Sequence, residues 1–158
     1  NITPYQAFQV EDGHLIIAVG NDGQFRRLCQ VLGVVELADD KRFQTNAARL
    51  AHREELLALI EPLIEKFTRE ELTEKLRQVG VPAGPINNLA EVYESPQVKH
   101  RQIWRNLPHP VAGQAPTTAS PMRFSATPVQ YRMAPPMLGE HTDEILAEFG
   151  LQRDAAKE

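Results

Sequence analysis

The amino-acid sequence predicts an α+β fold, with a helical cluster, a small and mostly antiparallel sheet, and a tail helix at the C-terminal end. A short apolar run at residues 15–19 follows the turn pair Asp12-Gly13 and ends at Gly20, a pattern typical of a core strand. Apolar residues recur at helical spacing in several later segments. A length of 158 residues suffices for one ordinary domain with its own core.

The first third of the chain is predicted to run from an extended lead-in at residues 1–10, through the strand, into a helix. Phe25, Leu28 and Leu32 lie on one face of this helix, and Gly33 supplies a C-terminal stop. Cys29 lies on the same helix beside the apolar face. Because no charged activator is evident nearby, we interpret Cys29 as a buried structural thiol rather than a nucleophile.

Two further helices are predicted in the middle of the chain. Residues 47–67 have a helical apolar pattern, which Pro62 is expected to kink or divide. Residues 68–71 have the Thr-x-x-Glu pattern of a capping box, and the helix that they open is expected to end at Gly80. Residues 81–87 are too rich in proline for a central strand, so an extended segment is predicted there.

The next part of the chain is predicted to form short helices and then short strands. Helices begin at Asn88 and at Ser95-Pro96, both favourable starting residues. Strands are expected at residues 104–110 and 121–124, with a polar loop at 112–120 between them.

Prolines predict an extended tether at residues 125–138, followed by an amphipathic helix that ends before Gly150. We therefore predict a small α+β domain at residues 1–124, and a tether with a C-terminal helix at residues 125–158. The chain begins at Asn1 in what reads as the middle of a longer polypeptide, so a fragment is expected.

Composition and charge exclude several functional classes. The net charge is −4 with both signs interspersed, which argues against a nucleic-acid partner. No apolar run approaches the roughly 20 residues of a membrane span, so no membrane association is expected. A lone cysteine and the absence of a secretory leader favour the cytoplasm. The five histidines have no spacing typical of zinc, and no metal site is expected.

The corner that follows the first strand is our candidate site, and its residues are Gly20, Asn21, Asp22, Gly23 and Gln24. Asp22 has two interpretations: it is the N-cap of the next helix, or its carboxylate points into a cleft and serves acid–base or polar substrate chemistry. We favour the cap. Lys99, Arg101 and Arg105 form a basic cluster that we interpret as a solvated helix face rather than a phosphate contact. No complete catalytic constellation is visible.

An ordered set of motifs resembles the downstream half of class III CoA-transferases, the family that includes formyl-CoA, carnitine and succinyl-CoA-dependent transferases and α-methylacyl-CoA racemase. The resemblance covers nearly the whole chain. It rests on Asp12-Gly13-x-Leu15-Ile16-x-Ala18-Val19-Gly20-Asn21-Asp22-x-Gln24-Phe25, Leu32-Gly33, Asp40-x-Arg42-Phe43-x-Thr45-Asn46-x-x-Arg49, Thr68-x-x-Glu71-Leu72, Gly80-Val81-Pro82-Ala83-Gly84-Pro85-Ile86-Asn87, Glu91-Val92, Pro96-Gln97-Val98, Arg101, His109-Pro110, Pro121, and Pro136-x-Leu138-Gly139-Glu140-His141-Thr142.

This resemblance implies the C-terminal portion of a two-domain enzyme that moves CoA between carboxylic acids. The family's large domain is Rossmann-like, two subunits interlock as a homodimer, and the tail helix returns to the large domain. An Asp nucleophile in the upstream half forms an aspartyl-CoA intermediate. Acyl-CoA and carboxylic acid are then the substrates, no separate cofactor is needed, and this chain by itself is expected to be inactive.

Two alternative functions stay open. The family's racemase branch carries a catalytic Glu at the corner where this chain has Asp22, one carbon shorter, which favours a transferase without excluding a racemase. The other alternative is a non-catalytic binding or assembly domain. The acyl donor and acceptor are not specified by the sequence.

Overall fold

The computed structural model describes residues 1–152 as a mixed structure of helices and small antiparallel sheets, which confirms the predicted fold class. These residues fall into two compact units, the first formed by Asn1–Asn87 and the second by the described residues from Asn88 onward. The predicted boundary after residue 124 stays a prediction, and the last six residues of the predicted tail lie outside the described part of the chain.

The first unit is built on a three-stranded antiparallel sheet in the order β1-β2-β3. Its strands are β1 (Tyr5–Val10), β2 (Gly13–Ala18) and β3 (Ala83–Pro85). The predicted lead-in therefore contains a paired strand, with Phe8 and Val10 facing the core. The proline-rich segment is extended as predicted, and it pairs at the sheet edge, where missing N–H groups are tolerated.

The first unit also contains four α-helices, and a short 3₁₀ helix spans Val35–Ala38. The helices are α1 (Asp22–Leu32), α2 (Asn46–Ala51), α3 (Arg53–Ile64) and α4 (Arg69–Gln78). Helix α1 ends as predicted at Gly33, whose φ of 76° lies in the left-handed region that glycine adopts without strain. The predicted Thr68 cap is also confirmed, because its hydroxyl accepts a hydrogen bond from the Glu71 N–H.

The prediction that Pro62 divides the second helical segment was wrong, and a kink at Pro62 stays a prediction. The break falls at His52, where φ is −116° and ψ is 33°, between α2 and α3. Pro62 lies in the last turn of α3, where its missing N–H removes one hydrogen bond of the helix. Leu56, Ile60 and Ile64 on the inner face of α3 are fully buried, and this packing holds the helix continuous through the proline.

The core of the first unit is apolar and includes Cys29. It is formed by residues from the strands, the helices and the segments between them. Its buried members are Phe8, Val10, Leu15, Ile17, Val19, Phe25, Leu28, Cys29, Leu32, Ala38, Phe43, Leu56, Ile60, Ile64, Leu72, Leu76 and Val81. The strand residues alternate between this core and solvent, as the two-residue period of a strand requires.

The second unit contains three helices and a β-hairpin: α5 (Leu89–Glu94), α6 (Pro96–His100), β4 (Trp104–His109), β5 (Gly113–Thr118) and α7 (Thr142–Glu148). The predicted helix starts at Asn88 and Ser95 are confirmed by side-chain caps. The strand predicted at residues 121–124 was wrong. Its place is taken by β5, in the segment predicted as a polar loop. Both strands of a two-stranded sheet are edge strands, and an edge strand tolerates the missing N–H of a proline. The polar, proline-containing β5 can therefore pair with β4 at little cost.

Candidate functional site

The corner between β2 and α1 is held by hydrogen bonds among its own residues. The Asn21 side chain accepts from the Gln24 N–H at 2.9 Å and is the N-cap of α1. The Gly20 N–H donates to Gln24 Oε1 at 2.6 Å. The other end of the Gln24 amide lies 3.4 Å from the Gly80 carbonyl oxygen. The corner thus has a defined conformation before any ligand arrives.

Our preferred interpretation of Asp22 as the N-cap was wrong. Asn21 has the extended backbone of a cap, with φ of −156° and ψ of 169°, and this conformation directs its amide oxygen at the first turn. Asp22 is the first helical residue, where its charge still complements the helix dipole. Its Oδ1 accepts a hydrogen bond from Arg49 Nη2 at 2.8 Å, and just over half of the side chain is exposed.

Arg49 is fully buried beneath this corner and ties four segments together. Its Nε donates to the Thr3 carbonyl at 2.8 Å, its Nη1 to the Phe43 carbonyl at 2.9 Å, and its Nη2 to Asp22. The guanidinium carbon also lies 4.5 Å from the centroid of the Phe25 ring. A buried charge is tolerated when it is paired and hydrogen-bonded in this way. Arg49 therefore holds Asp22, and with it the start of α1, in place.

Arg27 places a second guanidinium at the corner, and no carboxylate within the described part of the chain forms an ion pair with it. A Cβ built on Gly23 would lie in ordinary contact with Arg27 Nη1, at 3.5 Å, and would be tight only against Asn21 Oδ1, at 3.3 Å, so the guanidinium lies directly beside Gly23. The Arg27 Nε is buried and has no hydrogen-bond partner among the described residues. The adjacent Arg26, by contrast, pairs with Asp39 at 2.7 Å. The corner thus carries an uncompensated positive charge that suits an anionic group.

The structure brings the five predicted site residues together with two that the sequence reasoning did not single out, Arg27 and Arg49. Contact of Gly20, Asn21, Asp22, Gly23 and Gln24 with substrate stays a prediction. Arg27 follows Gly23 by four residues, the helical spacing that places the two on one face, and this signal was available in the sequence. Arg49 was noted only as part of the family motif, because no local pattern indicates that a helical arginine is buried.

Cys29 is buried on α1, and the structure confirms the interpretation of a structural thiol. Burial is the main cause that raises its pKa from an ordinary value of 9.0 to about 11. A thiol protonated at neutral pH and shielded from solvent is a poor nucleophile.

The raised pKa of Cys29 predicts a pH-dependent stability. In the unfolded chain the thiol loses its proton above pH 9, whereas the folded chain retains it up to about pH 11. The free energy of unfolding is therefore expected to fall with rising pH across this window, by about 1.4 kcal/mol per pH unit at most. Urea denaturation of the chain at pH 8 and pH 10 measures the fall. The Cys29→Ala variant should show a shallower decrease, and an equal decrease in both proteins would contradict the prediction.

The described residues contain no helix long and apolar enough to cross a membrane. Within the same residues, no group of three or more histidine, cysteine or acidic side chains is placed to hold a metal ion.

The amino-acid sequence is similar to those of several known proteins. The chain is 43% identical over 149 residues to the succinate–glutarate CoA-transferase of Agrobacterium fabrum, with 94% of this chain and 37% of that protein covered. It is 38% identical over 152 residues to the succinyl-CoA:glutarate CoA-transferase of Homo sapiens, with 94% and 34% covered. The chain thus spans little more than a third of these relatives.

A solved structure has the same fold. A CAIB/BAIF family protein from Brucella suis superimposes with a TM-score of 0.77 at 44% identity, over 94% of this chain and 38% of that chain. The family model for CoA-transferase family III matches residues 1–142, most of the chain. Since this match extends through both units, the chain belongs to CoA-transferase family III.

Proposed function

We propose that this chain is the C-terminal portion of a CoA-transferase that moves CoA between dicarboxylic acids. The observation that carries the proposal is the 43% identity, over 94% of the chain, to a protein named for succinate and glutarate. The mesaconate-named transferase of Haloarcula hispanica, 32% identical over 149 residues, is a third relative whose name specifies dicarboxylates. Acyl-CoA and free dicarboxylate are then the two substrates, and no further cofactor is required.

The proposed chemistry uses an aspartate that lies outside this chain. Its carboxylate attacks the thioester carbonyl of the donor, expels the CoA thiolate and forms a mixed anhydride. The thiolate returns to the aspartyl carbonyl, releases the donor carboxylate and leaves an aspartyl-CoA thioester. The acceptor carboxylate then repeats the two steps in reverse. We also propose, from the family resemblance, that the subunits act as an interlocked homodimer.

The part of the site that this chain supplies is the corner at Gly20–Gln24 with Arg27. A dicarboxylate keeps one charged carboxylate that takes no part in the transfer, and a cation placed for it selects such acids over monocarboxylates. Arg27 has a buried Nε that lacks a hydrogen-bond partner among residues 1–152 and a guanidinium beside Gly23, whereas Asp22 is already neutralised by Arg49. We therefore assign the distal carboxylate to Arg27, with the Gly23 surface leaving room for it.

The activity is tested with the full-length protein, succinyl-CoA and glutarate. We expect glutaryl-CoA to appear together with an equal amount of succinate. Hydroxylamine added during turnover should convert the thioester intermediate into an aspartyl hydroxamate, detected by mass spectrometry of the protein. Exchange of the α-proton of a 2-methylacyl-CoA in deuterated water, without CoA transfer, would instead show the racemase alternative. If neither CoA transfer nor proton exchange is detected, the result would support the non-catalytic alternative.

A further inference from the structure

Three arginines converge on one small cavity in the second unit. The cavity has a volume of about 260 Å³, and Arg101, Arg105 and Arg123 line it together with Ser120 and Tyr131. None of the residues that line it is acidic. Arg101 and Arg105 belong to the cluster that we interpreted from sequence as a solvated helix face. The structure instead places Arg101 just after α6, Arg105 on β4 and Arg123 beyond β5.

The three guanidinium groups keep much of their hydrogen-bonding capacity free. Arg101 donates to the Pro121 carbonyl at 3.2 Å, and Arg123 donates to the Arg101 carbonyl at 2.8 Å. Among the described residues, each of these two side chains therefore uses one of its five N–H donors to bind a backbone carbonyl oxygen. The Arg105 Nε is buried and has no hydrogen-bond partner among the described residues, and its guanidinium carbon lies 4.8 Å from the Tyr131 ring centroid.

Like charges that line one cavity repel each other, and a buried donor without a partner is unfavourable. An oxyanion in the cavity would remove both penalties, because guanidinium groups match its oxygens in charge and geometry. Ser120 lines the same cavity, and its N–H donates to the Tyr131 hydroxyl at 2.6 Å, which leaves the hydroxyl proton of Tyr131 free to donate as well. The arrangement offers donors from several directions, as a tetrahedral anion requires.

We propose that this cavity binds a phosphate group through Arg101, Arg105 and Arg123. Three positive charges suit a dianionic phosphate better than a single carboxylate. The volume is below the roughly 300–1,000 Å³ of sites that enclose a drug-sized ligand, so a small group or the end of a larger molecule fits. The phosphate is either free inorganic phosphate or a phosphate monoester on a larger molecule. The 3′-phosphate of CoA is a candidate only if the proposed transferase function holds.

The test is titration calorimetry of the full-length protein with inorganic phosphate at constant ionic strength. We expect Arg105→Gln to weaken binding at least about tenfold, because a charged hydrogen bond is lost. Arg105→Lys should lie between this variant and the unaltered protein, since lysine keeps the charge and loses the planar fork. Arg132→Gln is the matched control: it removes the same charge from a side chain that donates to Gln130 and does not line the cavity.

If Arg105→Gln fails to fold, as judged by circular dichroism, the exposed Arg123 allows the same comparison through Arg123→Gln. Equal phosphate affinity in the cavity variants and the control would overturn the proposal, as would undetectable binding to the unaltered protein.

Competition identifies the source of the phosphate. Displacement of phosphate by CoA but not by 3′-dephospho-CoA would support the monoester source, and displacement by neither would support free phosphate. Displacement by glutarate at equal concentration would overturn the phosphate assignment in favour of a carboxylate. These readouts measure binding, so an inactive transferase would not by itself decide against the site.

Discussion

The Arg49→Met variant is expected to lower the free energy of unfolding by about 2–5 kcal/mol relative to the unaltered chain. Methionine fills much of the same space, so the effect isolates the lost hydrogen bonds rather than a cavity. The carbonyls of Thr3 and Phe43 would lose their donors in the core, and each unsatisfied buried group costs about 1–3 kcal/mol. The half-exposed Asp22 regains water and adds little. Urea denaturation followed by circular dichroism measures the change.

Two further variants separate burial from charge in this prediction. Arg77→Met removes an arginine of an exposed pair with Glu74, 2.7 Å apart, and is expected to change stability by no more than about 0.5 kcal/mol. Arg49→Lys keeps the charge, but an ammonium cannot reproduce the three divergent hydrogen bonds, so most of the loss should remain. An Arg49→Met variant as stable as the unaltered chain would show that Arg49 does not organise the corner.

The Arg27→Gln variant of the full-length protein is expected to lose activity selectively toward dicarboxylates. A lost hydrogen bond from a charged donor corresponds to about 1.5–3 kcal/mol, or roughly a 10- to 100-fold fall in kcat/KM for glutarate as acceptor. A monocarboxylate of similar length, such as pentanoate, has no distal carboxylate and should lose little. The measurement is the ratio of the two kcat/KM values, obtained with the same succinyl-CoA donor.

The neighbouring residue supplies a matched control for this experiment. Arg26 lies next to Arg27 on α1, and its guanidinium is engaged by Asp39, so Arg26→Gln removes the same charge without removing the proposed contact. We expect this variant to keep the acceptor ratio of the unaltered enzyme. A proportional fall for glutarate and pentanoate in Arg27→Gln would indicate damage to the fold or to a common step, and would contradict the assignment of the distal carboxylate.

Local signals in the sequence predicted much of the first unit correctly. The helix stop at Gly33 and the cap at Thr68 depend on residues within one turn, and both are present. The predicted position of the corner after β2 is also correct, because an apolar run and its bounding glycine are contiguous in the chain. The choice of Asp22 over Asn21 as the cap failed because both residue types cap well, and the backbone conformation decides between them.

Predictions that depended on distant contacts were less successful. Pro62 stays inside α3 because Leu56, Ile60 and Ile64 are packed against the core, and a propensity rule does not include that packing. The β5 strand exists because β4 lies opposite it, although its own composition is typical of a loop. Arg101 and Arg105 were interpreted as part of a solvated helix face. In the structure they line one cavity together with Arg123, which is some twenty residues away in the chain.

Patterns in the amino-acid sequence were enough to predict the fold class, most element starts and stops, the position of the corner and the resemblance to a transferase family. These features depend on periodicity, capping and motif order, which are properties of neighbouring residues. Tertiary structure decided which charges are neutralised: Asp22 by Arg49, Arg26 by Asp39, and Arg27 and Arg105 by no hydrogen-bonded partner among the described residues. Pairing and burial arise between segments far apart in the chain, and for this reason the candidate binding groups emerged only from the folded structure.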